Sequence, residues 1–514
     1  MFNRIQNNRI ILVFILPFLL GALSTISFQP FNFSFINFFI LPSLYLLLSF
    51  VSKRSKNKYR KKPFLKNIFF VGYLFGVGFF LSGTYWISNS LTFDKELSFL
   101  IPFSVILIPT ILGIYYGLAS LILGWLIKNN YSSFFLFCLV FSLLDFLRGS
   151  MFSGFPWNLW SYSWSWFNEI LQILNPIGLY AFNSLSIVFF CSPVLLFFKE
   201  KYKYGVFSFI ILLFFSFYIF GSYKINIENS DYESNKETVY VKIISPSFEM
   251  RYLNNEKEII STINKVIRFS DPDPNKETIF IWPEGVFAGV YLEQLKKYSH
   301  FFKKNFSDKH LLVFGVNIQD PDSDKFYNSM LVANNNLKPI YRYDKRKLVP
   351  FGEFIPFNSF FEKLGLKKIT QGYGSFSKGE QQSNFLYNKI NILPLICYEI
   401  IFPQLLNVSK SNLIINISED AWFGDSIGPH QHFSKAIFRA VENNTYLIRS
   451  ANKGISAFID NNGRIIKRLE PQEVGNIELN VPLINNGYKN KNDLIFFILL
   501  FTYTIIFVIL RDKK

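Results

Sequence analysis

The apolar positions of this 514-residue chain fall into two regimes. Residues 9–222 and 493–510 are long runs of Phe, Leu, Ile and Val broken by short polar stretches. Residues 223–492 instead alternate short β-branched runs with turns and amphipathic segments. Eight long runs are candidates to cross a bilayer: 9–27, 34–51, 67–89, 99–127, 132–147, 176–198, 204–222 and 493–510. A hydrocarbon core of about 30 Å needs about 20 helical residues. The first run has the basic start of a cleaved leader, but further runs follow almost at once, so an uncleaved helix is expected.

The middle of the chain predicts strands at 238–245, 278–282, 311–316, 328–333, 339–343, 391–396, 412–417, 446–450 and 454–459. Helical patterns fall at 255–269, 291–305 and 430–443. Strands alternating with helices predict a layered α/β domain. The expected organisation is a transmembrane bundle over 1–222, a globular domain over 223–490, and a C-terminal span with a basic tail over 491–514.

The net charge of +17 points by itself to nucleic acid or anionic lipid. Its distribution argues against nucleic acid. With the N-terminus inside, the inner segments 1–8 (with Arg9), 52–66, 128–131, 199–203 and 511–514 carry seventeen Lys and Arg, against two in the outer loops 90–98 and 148–175. Positive loops stay on the cytoplasmic side, so residues 223–492 are expected outside, in the periplasm of a two-membrane cell. Four of the eight tryptophans, Trp157, Trp160, Trp164 and Trp166, lie in the outer loop 148–175. Position favours an interfacial aromatic belt for them. Asp145 and Arg148, three apart, can pair on one helix face.

Of three cysteines, only Cys397 lies in the globular part, which leaves neither a disulfide framework nor a Cys-rich metal site there. A free thiol facing an oxidising compartment calls for a reason. Cys397 follows an apolar strand, and a helix is expected to begin near Glu399, where helix N–H groups stabilise thiolate. Two other strands end in Pro283-Glu284 and Asp344-Lys345. One acid, one cation and one thiol at three strand ends suit nucleophilic acyl chemistry: Glu284 as base, Lys345 and the Cys397-Tyr398 backbone as oxyanion donors. His430 and His432 offer a Cys–His dyad or two ligands of a metal site, but a helix N-terminal segment is the favoured reading, and no metal is expected.

Longer runs carry a resemblance. Trp282-Pro283-Glu284, the run Tyr343 to Glu353 (YDKRKLVPFGE), and Cys397-Tyr398-Glu399 are similar to the Glu–Lys–Cys set of the nitrilase superfamily. LICYEIIFP (395–403), SEDAWFGDSIGPHQH (418–432), Arg439-Ala440-Val441-Glu442 and RGSMFSGFPW (148–157) narrow it: the chain resembles the apolipoprotein N-acyltransferase family. The resemblance implies an αββα four-layer sandwich beside about eight membrane helices. It implies ping-pong transfer of an acyl group from a phospholipid, expected to be phosphatidylethanolamine, through a Cys397 thioester to the S-diacylglyceryl-cysteine of an apolipoprotein. Glu284 would be general base, Lys345 oxyanion stabiliser and Cys397 nucleophile, with Glu353, Tyr398 and Glu399 supporting the site or binding substrate. No cofactor is implied, and a monomer in the inner membrane is expected. The Trp-rich loop would then belong to the lipid entry. The chain departs from the family pattern at Ser245-Pro246-Ser247, at Tyr252 and at Gly285. The competing reading is a membrane-tethered amidase that passes the acyl group to water; a transporter is disfavoured by the few ionisable residues in the spans.

Overall fold

The computed structural model describes residues 8–58, 63–93, 95, 97–230, 237–253, 255–323, 325–356, 375–380, 384–408, 411–484 and 493–511. Residues 59–62 of the basic segment and 512–514 of the basic tail lie outside them. The chain forms two compact units. One holds the helices within residues 1–88, 100–228 and 491–514; the other holds residues 89–99 and 229–490.

Among the described residues of the first unit, seven helices are long and apolar enough to cross a membrane: Ser34–Lys53, Leu65–Phe93, Ser98–Gly124, Tyr131–Ser150, Leu179–Phe197, Lys203–Ile227 and Leu494–Arg511. The first expected run is helical as well, as the shorter apolar helix Ile11–Ser27, so seven full-length helices and one short one carry the eight expected runs. Its last turn, Ser24–Ser27, is 3-10 rather than α. There the Ser24 and Ser27 hydroxyls donate to the carbonyls of Leu20 and Ser24. This short helix packs close to the third apolar run, because a Cβ on Gly21 would lie 1.9 Å from the Phe75 carbonyl oxygen. Membrane helices use small residues for such approach.

The Trp-rich loop is not a belt. Trp157, Trp160 and Trp164 are 1%, 0% and 3% exposed and sit in the core of this unit, while Trp166 is 40% exposed. Trp160 stacks on Phe79 at 5.1 Å. The loop folds inward because Arg148, paired with Asp145 at 3.0 Å, also donates to the Phe155 carbonyl. Asn183 completes the cluster through a 3.0 Å bond to Asp145.

The second unit is built on two six-stranded sheets. The first contains β1 (Thr238–Ser245), β2 (Thr278–Ile281), β3 (His310–Gln319), β4 (Phe326–Ala333) and β5 (Pro339–Asp344). The second contains β6 (Phe385–Tyr387), β7 (Ile390–Ile396), β8 (Leu413–Glu419), β9 (Leu447–Asn452), β10 (Ser456–Ile459) and β11 (Ile465–Leu469). The last strand, β12 (Gly475–Pro482), returns to pair antiparallel with β1. At the centre of each sheet three strands run parallel, β1-β2-β3 and β7-β8-β9. The strands β6, β11 and β12 went unpredicted: each is an outer strand, and β11 and β12 keep exposed or half-exposed polar residues that dilute the apolar alternation.

Strand alternation sends Val241, Ile243, Ile281 and Val313 of the first sheet against Ile392, Ile415, Ile417 and Ile448 of the second. The other face of the first sheet packs Phe280, Trp282 and Phe314 against helices Glu256–Ser270, Leu292–Lys296 and Ser299–Asn305. The outer face of the second sheet is covered by Gly428–Asn443, whose helix meets β9 and β10. The result is the expected αββα sandwich. Residues 89–99 join this unit: Asn89 Nδ2 donates to the Phe423 carbonyl at 2.7 Å, and Phe93 meets Trp422 edge-on at 5.3 Å.

Candidate active site

Ligand sites in parallel sheets gather beyond the carboxyl ends of strands. Glu284 follows β2. Its approach is pinned by Trp282, fully buried, whose Nε1 donates to Ser270 Oγ at 3.0 Å. Lys345 follows β5, and its N–H extends the sheet by donating to the Asn328 carbonyl at 2.9 Å. The two side chains meet. Lys345 Nζ lies 3.1 Å from Glu284 Oε1 and 2.9 Å from Glu353 Oε1, with 1% of the lysine side chain exposed. Burial alone would push this ammonium down, but the carboxylates of Glu284 and Glu353 outweigh it and hold it well above the ordinary lysine value.

Asn328, which sequence reasoning missed, ties the two acids together. Its Nδ2 donates to Glu284 Oε1 at 2.7 Å and to Glu353 Oε1 at 2.8 Å. An Asn at the start of an apolar strand carries no signal by itself. Glu353 Oε2 accepts from the Val349 N–H at 2.8 Å, which folds the intervening loop back on the ion pair.

Cys397 ends β7. It adopts φ 48, the left-handed region that side chains other than glycine rarely enter, and opens a 3-10 turn of five residues, Cys397–Ile401. The expected longer helix does not form, so a helix dipole does not stabilise thiolate here. The thiol moves the opposite way. Burial, then the Glu284 carboxylate, push it well above its ordinary value, and Lys345 only partly opposes them. At rest the group is a thiol that needs a base.

Glu399 is fully buried and faces inward to the fold. Its carboxylate accepts from the backbone N–H groups of Ile396 (2.8 Å), Arg346 (2.7 Å) and Lys347 (3.1 Å) and from the Tyr343 hydroxyl (3.0 Å). It therefore clamps the Lys345 loop to the Cys397 turn. Burial raises its pKa, and the three N–H bonds oppose the rise. Tyr398 is half-buried and sets its ring edge-on to Phe402 at 5.1 Å. Lys347 lies over the other neighbour of that wall, its Nζ 4.9 Å from the Phe402 ring centre. Burial, then the charges of Lys378 and Arg346, hold Lys347 below the ordinary lysine value.

Glu419 was not anticipated, and His432, weighed from the sequence as a Cys–His base or a metal ligand, takes another place. Glu419 ends β8, and its N–H donates to Glu284 Oε2 at 3.0 Å. Its own carboxyl, bonded to Asn452 Nδ2 at 2.9 Å, is pushed up to about 8 by burial, with the Asn452 amide opposing and Glu284 adding to the rise. That carboxyl fills the space beside Gly285: a Cβ there would lie 2.0 Å from Glu419 Oε2. This gives the departure at Gly285 a steric cause. His432, within the SEDAWFGDSIGPHQH run, is fully buried, and its Nε2 lies 3.2 Å from the Cys397 carbonyl oxygen.

Comparison with known proteins places the chain in a family. Residues 20–192 match the family model of the apolipoprotein N-acyltransferase N-terminal domain, and residues 287–483 match that of carbon-nitrogen hydrolases. Solved structures similar to part of this chain include a nitrilase-superfamily protein of Saccharomyces cerevisiae, 19% identical, covering 48% of this chain and 90% of that chain, with a TM-score of 0.36. The class is thus a membrane-associated acyltransferase with a nitrilase-like domain. Curated relatives extend over nearly the whole chain. The apolipoprotein N-acyltransferase of Rickettsia bellii is 32% identical, covering 96% of this chain and 97% of its own length. That of Allorhizobium ampelinum is 29% identical, covering 92% and 90%. The chain belongs to the apolipoprotein N-acyltransferase family, enzymes of lipoprotein N-acylation.

Proposed function

We propose that this enzyme transfers an acyl chain from a phospholipid to the amino-terminal S-diacylglyceryl-cysteine of apolipoproteins, through a thioester on Cys397. The observation that carries the reading is the Lys345 ammonium held between the Glu284 and Glu353 carboxylates beside a thiol that is protonated at rest. Glu284 takes the thiol proton. The sulfur bonds to the ester carbonyl carbon, and the oxyanion is met by Lys345 and the Tyr398 N–H. The C–O bond then breaks, and the proton passes to the leaving lysophospholipid hydroxyl. In the second half-reaction the lipoprotein α-amine attacks the thioester, the C–S bond breaks, and the amine proton returns through Glu284 to the thiolate.

Several features support a lipid donor. Arg346, Lys347 and Lys378 would meet the phosphodiester of a glycerophospholipid, phosphatidylethanolamine being the expected one. Both substrates are anchored in a bilayer, and lifting a chain from it costs about 0.8 kcal/mol per buried CH₂. A thiol carried on a multi-pass membrane protein avoids that cost. The charge asymmetry of the loops supports an inner-membrane location with the catalytic unit in the periplasm. Residues 89–99, expected on that same side, belong to the catalytic unit. The enzyme is proposed to act as a monomer.

The test is incubation of the purified protein with phosphatidylethanolamine in micelles, followed by intact-mass spectrometry. A hydroxylamine-labile acyl adduct is expected, absent in Cys397→Ala, and it should discharge onto a diacylated lipopeptide. Release of free fatty acid to water with no acylated lipopeptide would support the amidase alternative and overturn this reading.

A further inference from the structure

The peptide that follows the nucleophile has a support of its own. The β7–β8 ladder ends at the pair Ile396 and Ile417, and Cys397 leaves it in the left-handed conformation. From there the Cys397 carbonyl turns to His432 Nε2, 3.2 Å away. His432 lies near the start of helix Gly428–Asn443 and is fully buried. Its Nδ1 lies 3.0 Å from Arg449 Nη2 and 3.0 Å from Asp420 Oδ1. Arg449 Nη2 also reaches both oxygens of Asp420, at 3.0 and 2.8 Å, while Arg449 Nη1 donates to Asn416 Oδ1. Ser418 Oγ donates to Asp420 Oδ1 at 2.6 Å. The Phe423 ring closes the site edge-on at 5.2 Å.

The partners select one tautomer. Burial, then the Arg449 guanidinium, hold the imidazole down at about 4, so at pH 7 it is neutral and carries one N–H. A carbonyl oxygen only accepts and a guanidinium only donates. With the hydrogen on Nε2, that nitrogen donates to the Cys397 carbonyl and Nδ1 accepts from Arg449 Nη2, which also bridges to Asp420. The opposite tautomer gives Nδ1–H to Asp420 Oδ1 but sets the Nε2 lone pair against the Cys397 carbonyl oxygen and an N–H against the Arg449 donor, two conflicts against the single one of the Nε2–H form, whose Nδ1 lone pair faces Asp420 Oδ1.

We propose that His432 is a positioning residue for acyl transfer: its Nε2–H bond to the Cys397 carbonyl fixes the plane of the Cys397–Tyr398 peptide and aims the Tyr398 N–H at the oxyanion. In a trans peptide the N–H points opposite to the carbonyl, so holding one sets the other. A bond accepted by the carbonyl also polarises the amide and strengthens its N–H as a donor. The inference rests on the thioester reading above, because both half-reactions there pass through an oxyanion at the same place. His432 touches no reacting atom; it acts through the Cys397–Tyr398 peptide.

The test exploits side-chain reach. A glutamine amide nitrogen falls near the Nε2 position of histidine, and an asparagine amide nitrogen falls near Nδ1. Full-length wild-type, His432→Gln and His432→Asn proteins are compared for thioester formation from phosphatidylethanolamine, for discharge to a diacylated lipopeptide, and for melting temperature. His432→Asn should lose about tenfold or more in the rate of both half-reactions with KM for donor and acceptor unchanged, and His432→Gln should stay within about threefold of wild type. Equal rates in the two variants at equal melting temperature, or a loss confined to KM, would overturn the proposal. Nitrogen NMR of the ¹⁵N-histidine-labelled wild-type protein, with the signal assigned by its loss in whichever of His432→Gln and His432→Asn folds, decides the matter even where the other variant fails to fold. A neutral Nε2–H tautomer is expected, and a neutral Nδ1–H tautomer refutes the inference. Absence of any thioester on the wild-type protein would instead strike the function reading.

Discussion

Lys345→Met removes the cation that joins two buried carboxylates. The ammonium lies 3.1 Å from Glu284 and 2.9 Å from Glu353. At an effective dielectric of about 20, each contact at such a distance is worth about 5 kcal/mol before desolvation is counted. Most of that gain offsets the cost of burying the ions, and removing one partner of a buried pair costs about 3–5 kcal/mol net. Lys345→Met should therefore lower unfolding stability by that amount. As the oxyanion donor its loss should also slow both half-reactions by about 10²–10³-fold. The two effects separate in the double variant Lys345→Met with Glu353→Gln. The neutral amide keeps one acceptor oxygen, enough for either Asn328 or Val349 but not both, and removes one of the facing charges. Stability should recover by more than half while acyl transfer stays lost. The assays are thermal unfolding in phospholipid micelles and mass-spectrometric counting of the Cys397 adduct. A double variant that regained acyl transfer together with stability would refute the reasoning, because Lys345 would then act only as a counter-charge.

Glu419, pushed up to about 8, is protonated at pH 7, and its ionisation sets a second negative charge beside Glu284, so kcat should fall with an apparent pKa near 8 and Glu419→Gln should flatten that limb. The folded state keeps a proton that the unfolded chain releases at its ordinary value of 4.5, so this group's contribution to stability falls as pH rises from about 4.5 to 8 and is level above; a stability titration of wild type against Glu419→Gln checks the sign. Glu399→Ala removes the acceptor of three backbone N–H groups between the Lys345 loop and the Cys397 turn, and should cost about 3 kcal/mol or more in a thermal melt. Gly285→Ala drives a methyl against Glu419 Oε2 and should destabilise by about 1–3 kcal/mol, with Glu419→Ala as the compensating second change. Lys347→Glu should raise the donor KM in thioester formation several-fold and leave discharge to the lipopeptide unchanged; an equal effect on both steps would remove Lys347 from donor binding.

Much of the fold was legible because hydrophobic periodicity is local. The central strands read directly from β-branched runs: 238–245 was predicted and β1 is Thr238–Ser245, and 391–396 became Ile390–Ile396. The outer strands β11 and β12 were not legible, since an outer strand need bury only part of its length and tolerates Lys, Arg, Glu and Asn. Glu284, Lys345 and Cys397 could be nominated together because strand ends concentrate chemistry, although they lie 61 and 52 positions apart along the chain.

The sequence by itself determined the division into membrane helices and an α/β domain, the orientation expected from basic loops, and the acid, cation and thiol that share one site. Tertiary structure alone decided how those groups are held. Asn328 bridges two acids, Glu399 locks two loops together, Glu419 fills the space over Gly285, and His432 meets the Cys397 carbonyl. It also moved three tryptophans of the outer loop from an expected belt into the core. The reason is physical. Periodicity and charge act within a few residues, whereas a buried polar group is defined by partners tens or hundreds of residues away, and only folding brings those partners within 3 Å.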